Sequence, residues 1–400
     1  MDTITHGIAG ALIGKAVFHG DDMFALRPMN RERIVTWSLM LGAIFPDSDV
    51  FREMFSRNEL LILTWHRSIT HSLVCLPAFA LLLAAVTRSF AGWRKWETPS
   101  VAALAGIYAA GILSHILLDL VTSFGTMIWS PLKWSRPAWD LIFIVDFTLT
   151  ALFLVPQILA WVYAKRQGLE RRALGSWLVV SVGAIAVRVI ARVVEAPIAV
   201  RASLVTIVIL AALFLLPAVR FWGVHVSRAS WNLAGFVAAL GYVALAVLFH
   251  QAALARVHKF ASLEQLDVQT IGALPMPPSL WHWDGLVRAP HGVYETRINF
   301  GEDAQAASGP PGAQPLEYRF YPDARANSYI ETAKRLPEVQ TVLWFARFPV
   351  TRFHKDGSDG IVEISDLRFP HMRPDRPAAF TYRVRFSAAG DVLSQGWVKD

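Results

Sequence analysis

The sequence predicts a mainly α fold: a polytopic α-helical membrane bundle over residues 1–256, followed by a small β-rich extramembrane domain over 257–400. Three observations predict it. Hydrophobic residues make up 54% of the chain and charged residues only 17%, against about a quarter charged in an ordinary globular protein. The apolar excess is concentrated in the first 256 residues, in runs that approach the roughly 20 apolar residues a bilayer crossing needs. Beyond them the pattern changes to alternation of apolar with charged residues, the period of half-buried antiparallel strands.

Taken in chain order, the segments 5–18 and 37–50 are short for a full crossing. They read as half-spans packed inside the bundle, where protein hides their polar ends. Full spans follow at 69–86, 101–121, 141–163, 177–199, 204–221 and 233–255, giving six to eight membrane segments in all. The start, "MDTITHGIAGALIGKAV", lacks the basic leading region of a signal peptide and reads as a retained first helix. The single cysteine, Cys75, lies inside a span, so redox compartment is not legible from cysteine usage.

The net charge of +7 reflects topology rather than a nucleic-acid partner. Arginine and lysine cluster in "RPMNRER" (27–33), "RSFAGWRKW" (88–96), "AKRQGLERR" (164–172) and "RFWGVHVSR" (220–228). Short loops rich in these residues stay cytoplasmic. Alternation through them, with the first two segments both crossing, places the N-terminus, residues 47–68, 119–140, 196–203 and everything after 256 outside. That is the periplasmic face of an inner membrane. Arg188, Arg192 and Arg201 fall towards an outer end against this pattern, and Glu195 at helical spacing offsets part of that charge.

The C-terminal third opens on "LPMPPSLWHWDG" (274–285), a Pro- and Trp-rich passage that cannot continue a helix. The runs "VYETRINF", "LEYRFY", "TVLWFARF", "VEISDLRF" and "FTYRVRF" read as strands, and 301–315 as a flexible loop by composition. The chain has neither a Gly-rich phosphate loop nor a dinucleotide fingerprint.

Four polar groupings punctuate the first 146 residues: Asp2 with His6; Asp47 with Asp49 in "FPDSD"; His66, Arg67 and His71 in "HRSITHS"; and His115, Asp119, Thr122 and Ser123 in "SHILLDLVTSFGT". By the alternation derived from unrelated charges, all four fall on one outer side. His115 and Asp119 are four apart on a predicted helix, so they share a face and can converge on one ion. Asp2 and His6 have the same spacing. Imidazole with carboxylate oxygen is a ligand set for zinc, with manganese or iron also accommodated. Thr5, Thr70 and Ser114 are candidates to orient the histidines.

Each grouping also has an ordinary structural explanation: an interfacial anchor or cap, a turn-forming Asp, a hydrogen bond between helices. Their coincidence on one side outweighs it, because ionisable groups at membrane depth are costly and by default functional. Asp146, which opens a span, is a subsidiary candidate. Trp129, Trp134 and Trp139 read as an interfacial aromatic belt. His225, His282 and His291 read as surface residues.

"MDTITHGIAGALIG", "GAIFPDSDV", "HRSITHS" and "SHILLDLVTSFGT" resemble, in that order, the YdjM/DUF457 family of membrane-bound proteins assigned as metal-dependent hydrolases. The resemblance covers about residues 1–150. The helical His-x-x-x-Asp also looks like part of the zinc cluster of bacterial phospholipase C and P1-type nucleases. That implies metal roles for His6, Asp47, His66 or His71, His115 and Asp119. A second His pair and a downstream Glu of those soluble enzymes have no counterpart here, which implies one or two ions rather than three.

The expectation is a membrane-bound hydrolase using a divalent metal, zinc favoured, on a phosphoester of an amphiphilic or lipid-linked substrate at the bilayer's outer face. His6, Asp47, His66, His71, His115 and Asp119 hold the metal; Asp49 ligates or acts as general base; Arg67 stabilises charge on a phosphoryl oxygen. Asp2, Asp146, Thr122 and Ser123 are subsidiary. The rival expectation is a non-enzymatic scaffold or transporter whose polar cluster is structural.

Overall fold

A computed structural model describes residues 1–18, 28–56, 58–193, 198–277, 280–301, 317–369, 378 and 380–398. They fall into two compact units. The first comprises Met1–Ser48, Arg67–Ala138 and Ile144–Ala244; the second comprises Asp49–His66, Trp139–Phe143 and Leu245–Asp400.

The first unit is helical. Its helices are α1 (Thr3–Val17) and α2 (Pro28–Ile44), then α5 (Leu76–Trp93), α6 (Val101–Leu120), α7 (Phe147–Val162), α8 (Leu169–Val193) and α9 (Val200–Leu215). The short helices α3 (Val50–Met54) and α4 (Leu61–Thr64) belong to the second unit. The long helix α10 (Arg228–Leu263) contributes its first part to one unit and, from Leu245, its remainder to the other. Side-chain caps set several starts: Asp2 accepts the Thr5 N–H, Ser100 the Ala103 N–H and Asp146 the Leu149 N–H. Each satisfies one of the donors a helix N-terminus leaves unpaired.

Among the described residues, six helices are long and apolar enough to cross a membrane: Glu32–Arg52, Leu76–Trp93, Val101–Leu120, Leu169–Arg192, Val200–His225 and Arg228–Leu263. Their outward faces are apolar. Leu81, Leu82 and Val86 on α5, Val179, Val182 and Val189 on α8, and Leu204 and Val208 on α9 are all exposed. Such surfaces suit contact with lipid.

Three spans differ from their expected position. The span expected at 37–50 as a half-crossing is part of a 21-residue apolar segment, because the basic residues from 28 onward open α2 instead of forming a loop. The span expected at 141–163 shrinks to the 16 residues of α7, because Asp140 takes a left-handed backbone (φ 54°) and Asp146 caps a later start. Likewise the run from 69 becomes helical only at Leu76, where Pro77 occupies the first turn. The pairing expected of Glu195 lies outside the described residues.

In the second unit, β1 (Thr270–Met276), β2 (His282–Ala289), β3 (Gly292–Asn299) and β4 (Tyr318–Pro322) form one antiparallel sheet in sequence order. β5 (Pro349–Asp356), β6 (Asp359–Asp366), β7 (Thr381–Phe386) and β8 (Val392–Trp397) form a second. Between the sheets in sequence lie α11 (Ser328–Arg335) and α12 (Pro337–Phe345). Alternation decides the packing. Trp283 and Val287 of β2 face Val257 and Phe260 of α10, whereas Leu286 joins Phe348, Val350 and Leu367 between the sheets.

The run "TVLWFARF" is helical up to Phe345, not a strand. Pro337 sits at its start, and Val339, Val342 and Phe345 are buried at intervals of three, a helical face. The Pro/Trp passage at 274–285 proves to be the end of β1 and the start of β2 rather than a plain linker. The loop expected at 301–315 lies, from 302 onward, outside the described residues.

Candidate metal centre

The site begins with close helix packing. A Cβ on Gly10 of α1 would lie 2.8 Å from the Leu39 carbonyl oxygen of α2, and one on Gly111 of α6 2.6 Å from the same oxygen. Glycine at both positions lets three backbones approach within side-chain-free distance, as small residues do in membrane bundles. That contact brings His6 of α1, the end of α2, and the last turns of α6 into one place.

Each functional side chain then has its own local cause. His115 and Asp119 lie one turn apart on α6 and both are fully buried. α2 stops at Ile44 ahead of Pro46, and a 3₁₀ turn over Phe45–Asp49 presents Asp47. His71 ends another 3₁₀ turn, Ile69–His71. That turn follows Arg67, whose φ of 58° is a left-handed conformation uncommon for a side chain of its size. The loop is stitched to the irregular stretch beyond α6, where the Met127 N–H donates to the Arg67 carbonyl at 2.8 Å and the Leu73 N–H to the Ile128 carbonyl at 2.9 Å.

Asp47, His71, His115 and Asp119 converge, with one ligand atom from each within 4.8 Å of the others. The two imidazole Nε2 atoms are 3.0 Å apart. His71 Nε2 lies 3.6 Å from Asp47 Oδ1 and 3.3 Å from Asp119 Oδ2; His115 Nε2 lies 3.4 Å from each of the same two oxygens. Four donors around an ion at zinc-like bond lengths of ~2.0–2.1 Å form a tetrahedron with edges of about 3.3 Å. Five of the six edges, at 3.0–3.6 Å, bracket that value, and the carboxylate–carboxylate edge is within 4.8 Å, so the group can hold a metal ion.

The surroundings fit the same use. His115 Nδ1 donates to the Ala43 carbonyl at 2.6 Å. A carbonyl only accepts, so the proton is on Nδ1 and the Nε2 lone pair points into the cluster. Thr70 Oγ1 lies 3.1 Å from His71 Nδ1, and Thr3 Oγ1 donates to Asp47 Oδ2 at 2.5 Å. On Asp119 the two oxygens divide the work. Oδ1 takes Arg67 Nη2 at 3.0 Å, His6 Nε2 at 3.2 Å and the Met1 amino group, while Oδ2 is buried without a hydrogen bond. A buried carboxylate oxygen left without a donor has room for an ion.

The remaining candidates distribute as follows. His6 stacks on His115 with ring centroids 3.6 Å apart and bonds the outer oxygen of Asp119, so it supports the group of four without joining it. Arg67 is buried, and also donates to Thr122 Oγ1 at 2.9 Å. Thr122 in turn donates to the Asp119 carbonyl at 2.8 Å. Ser123 is half-buried beside it. Asp2 is a cap. Asp146, also a cap, accepts the Tyr242 hydroxyl at 2.8 Å. In the second unit His66 Nδ1 meets Asp49 Oδ1 at 3.1 Å, so these two pair with one another. Of the suggested orienting residues, Thr70 is in place; Thr5 bonds Asp2 and Thr150, and Ser114 the Gly111 carbonyl. The sequence reading missed Thr3 and the Ala43 carbonyl. Thr3 stands three before His6, a helical spacing that signals it; a backbone carbonyl leaves no sequence signal at all.

Residues 1–194 match the model of a family described as YdjM inner membrane protein. No curated protein and no solved structure is similar enough to the chain to count as a match.

Proposed function

We propose that this chain, whose first 194 residues match the model of the YdjM inner membrane protein family, is a membrane-bound metal-dependent hydrolase. A phosphoester of an amphiphilic or lipid-linked substrate is the favoured bond. The observation that supports this most is the convergence of two imidazole nitrogens and two carboxylate oxygens, all within 4.8 Å of one another and with every distance that involves a nitrogen between 3.0 and 3.6 Å. Asp47, His71, His115 and Asp119 would hold one divalent ion, zinc by donor set.

Bound there, the ion supplies Lewis acidity and a water of lowered pKa. The chain's own residues do the rest. Arg67 and His6 hold the outer oxygen of Asp119 and so orient the inner one. Asp47, with a side chain 10% exposed, is the side of the group nearest solvent, whereas His71, His115 and Asp119 are at most 1% exposed. Arg67 is committed to Asp119 and Thr122, which favours positioning over direct contact with a phosphoryl group.

The near-complete burial of three of the four ligands favours a second reading. Closed four-ligand sites are characteristic of structural zinc, so the ion would instead lock α2, α6 and the 67–73 loop together. Elemental analysis of protein purified in detergent, before and after chelation, followed by hydrolysis of bis(p-nitrophenyl) phosphate, separates the readings. A hydrolase loses turnover on chelation and regains it with zinc. A structural site loses thermal stability instead and shows no turnover at any stage. Absence of any divalent ion defeats both.

Read by the positive-inside rule, the basic loops favour a periplasmic side for the polar groupings and for the residues after 256. A reporter fused after residue 398 should then be active in the periplasm, and one at Gly168 in the cytoplasm. The reverse pattern would move the reaction to the cytoplasmic face.

A further inference from the structure

The second unit contains a cavity of about 600 Å³, within the ~300–1,000 Å³ usual for small-molecule sites. Its floor is a hydrogen-bonded knot between the two sheets. Arg288 of β2 pairs with Asp323 Oδ2 at 2.6 Å and donates to the Pro349 carbonyl at 2.8 Å. Asp323 Oδ1 accepts the Thr351 N–H at 2.8 Å, and the Ala324 N–H donates to the Thr351 carbonyl at the same distance. One guanidinium against one carboxylate leaves this floor neutral and rigid.

The rim is not neutral. Arg325 and Lys334 both line the cavity and are exposed, and neither is paired with a carboxylate among the described residues. Phe320, Ile330 and Leu343 supply an apolar wall. Two uncompensated cations beside an apolar wall select an anion with a hydrophobic body. A bare inorganic ion would leave the wall wet, and a neutral ligand would leave the cations unused. The guanidinium fork further suits a carboxylate or a phosphate.

We propose that this cavity binds a small soluble organic anion, a phosphate monoester or a carboxylate, with Arg325 and Lys334 holding its charge and the Phe320–Leu343 wall its body. The cavity shares no residue with the metal centre, and the proposal does not depend on the hydrolase reading.

The test is calorimetric titration of the full-length protein in nanodiscs of neutral phosphatidylcholine, with phenyl phosphate and with benzoate as probes. At least one should bind saturably below about 1 mM, with inorganic phosphate and benzyl alcohol weaker by tenfold or more. Arg325→Ala and Lys334→Ala, both at exposed positions that the fold tolerates, should each weaken the probe roughly tenfold. Binding should persist after chelation, because an anion held by the metal centre would be lost with the metal. Repeating the titration with phosphatidic acid in the nanodisc distinguishes the source: unchanged affinity supports a soluble ligand, and competition overturns it in favour of a lipid headgroup. The proposal also fails if neither probe saturates below about 10 mM, or if both variants bind like the unaltered protein.

Discussion

Two buried carboxylates, one in each unit, solve the same electrostatic problem in opposite ways. Asp366 in the β-rich unit sits with Arg368, and both are almost wholly buried. Asp366 Oδ1 accepts the Phe348 and Arg368 N–H groups, Oδ2 takes the Arg368 Nε at 2.8 Å, and Arg368 Nη2 reaches the Phe345 carbonyl at 2.6 Å. Asp119 in the helical unit also has an arginine, Arg67, but only on one oxygen. Its other oxygen faces two imidazole nitrogens across 3.3–3.4 Å with no hydrogen bond made. The oxygens of Asp366 are taken up by backbone N–H groups and the Arg368 guanidinium, whereas Oδ2 of Asp119 turns toward the point that Asp47, His71 and His115 also face. Burial of charge alone therefore does not single out a group that could hold a metal ion; a surplus of acceptors over donors does.

The sharpest break between the two would come from truncating each. Asp366→Ala leaves Arg368 buried without its partner, which should cost about 3–5 kcal/mol of stability in the β-rich unit. Hydrogen exchange of the full chain reads this as faster exchange in β5–β7, with metal content unchanged. Asp119→Ala should do the reverse, lowering metal content with β5–β7 exchange unaltered. If Asp119→Ala retains full metal occupancy, the two carboxylates differ in nothing but their neighbours.

A smaller effect is expected at Arg67, which supports a ligand without being one. Arg67→Ala should weaken metal affinity roughly 10–100-fold, the range for partners that orient ligands. Arg67→Lys keeps the charge but not the fork that spans Asp119 and Thr122, so it should recover only part of the affinity. Equal affinity in both variants and the parent, by competitive titration against a chelator, would remove Arg67 from the site.

Asp284 on β2 offers a third carboxylate, whose effect changes with pH. It is buried, and its nearest cation, Arg297, is 4.0 Å away with a side chain 82% exposed. Burial, reinforced by the charge of Glu295, pushes its carboxyl up to about 7. The folded state therefore keeps a proton that the unfolded chain releases near pH ~4. That contribution to stability is complete below about pH 4 and is lost as pH rises to about 7, at no more than ~1.4 kcal/mol per pH unit. Asp284→Asn should flatten this slope and protect β1–β3 from exchange at pH 8. A slope that survives the substitution would have to arise elsewhere.

The legibility of this molecule varied with the kind of constraint. Apolar length is additive along the chain, so most spans could be read directly. The exceptions, at 69 and at 141, lie where a turn or a cap shortens a run whose composition remains apolar. "TVLWFARF" shows the limit of alternation: the helical face of Val339, Val342 and Phe345 begins outside the run, after Pro337, and so escapes a period-2 reading. His66 and His71 show another. They are five residues apart in non-helical turns, where no periodicity says which side chain points inward. The left-handed turn at Arg67 decides it, and an Arg in that conformation has no sequence signature.

By itself the sequence determined that the chain enters a membrane and that His115 and Asp119 share a face. It also determined that acids and histidines gather where apolar surroundings make them costly. These follow from local spacing and transfer energy, which need no partner. Only the tertiary structure decided which four atoms meet. Their convergence depends on α1, α2 and α6 touching through Gly10 and Gly111, and on a carbonyl of Ala43 fixing one imidazole tautomer. It depends also on Arg67 drawing off one oxygen of Asp119 and leaving the other. Such choices are made by distances of a few tenths of an ångström between segments far apart in the chain, and no pattern within a single segment encodes them.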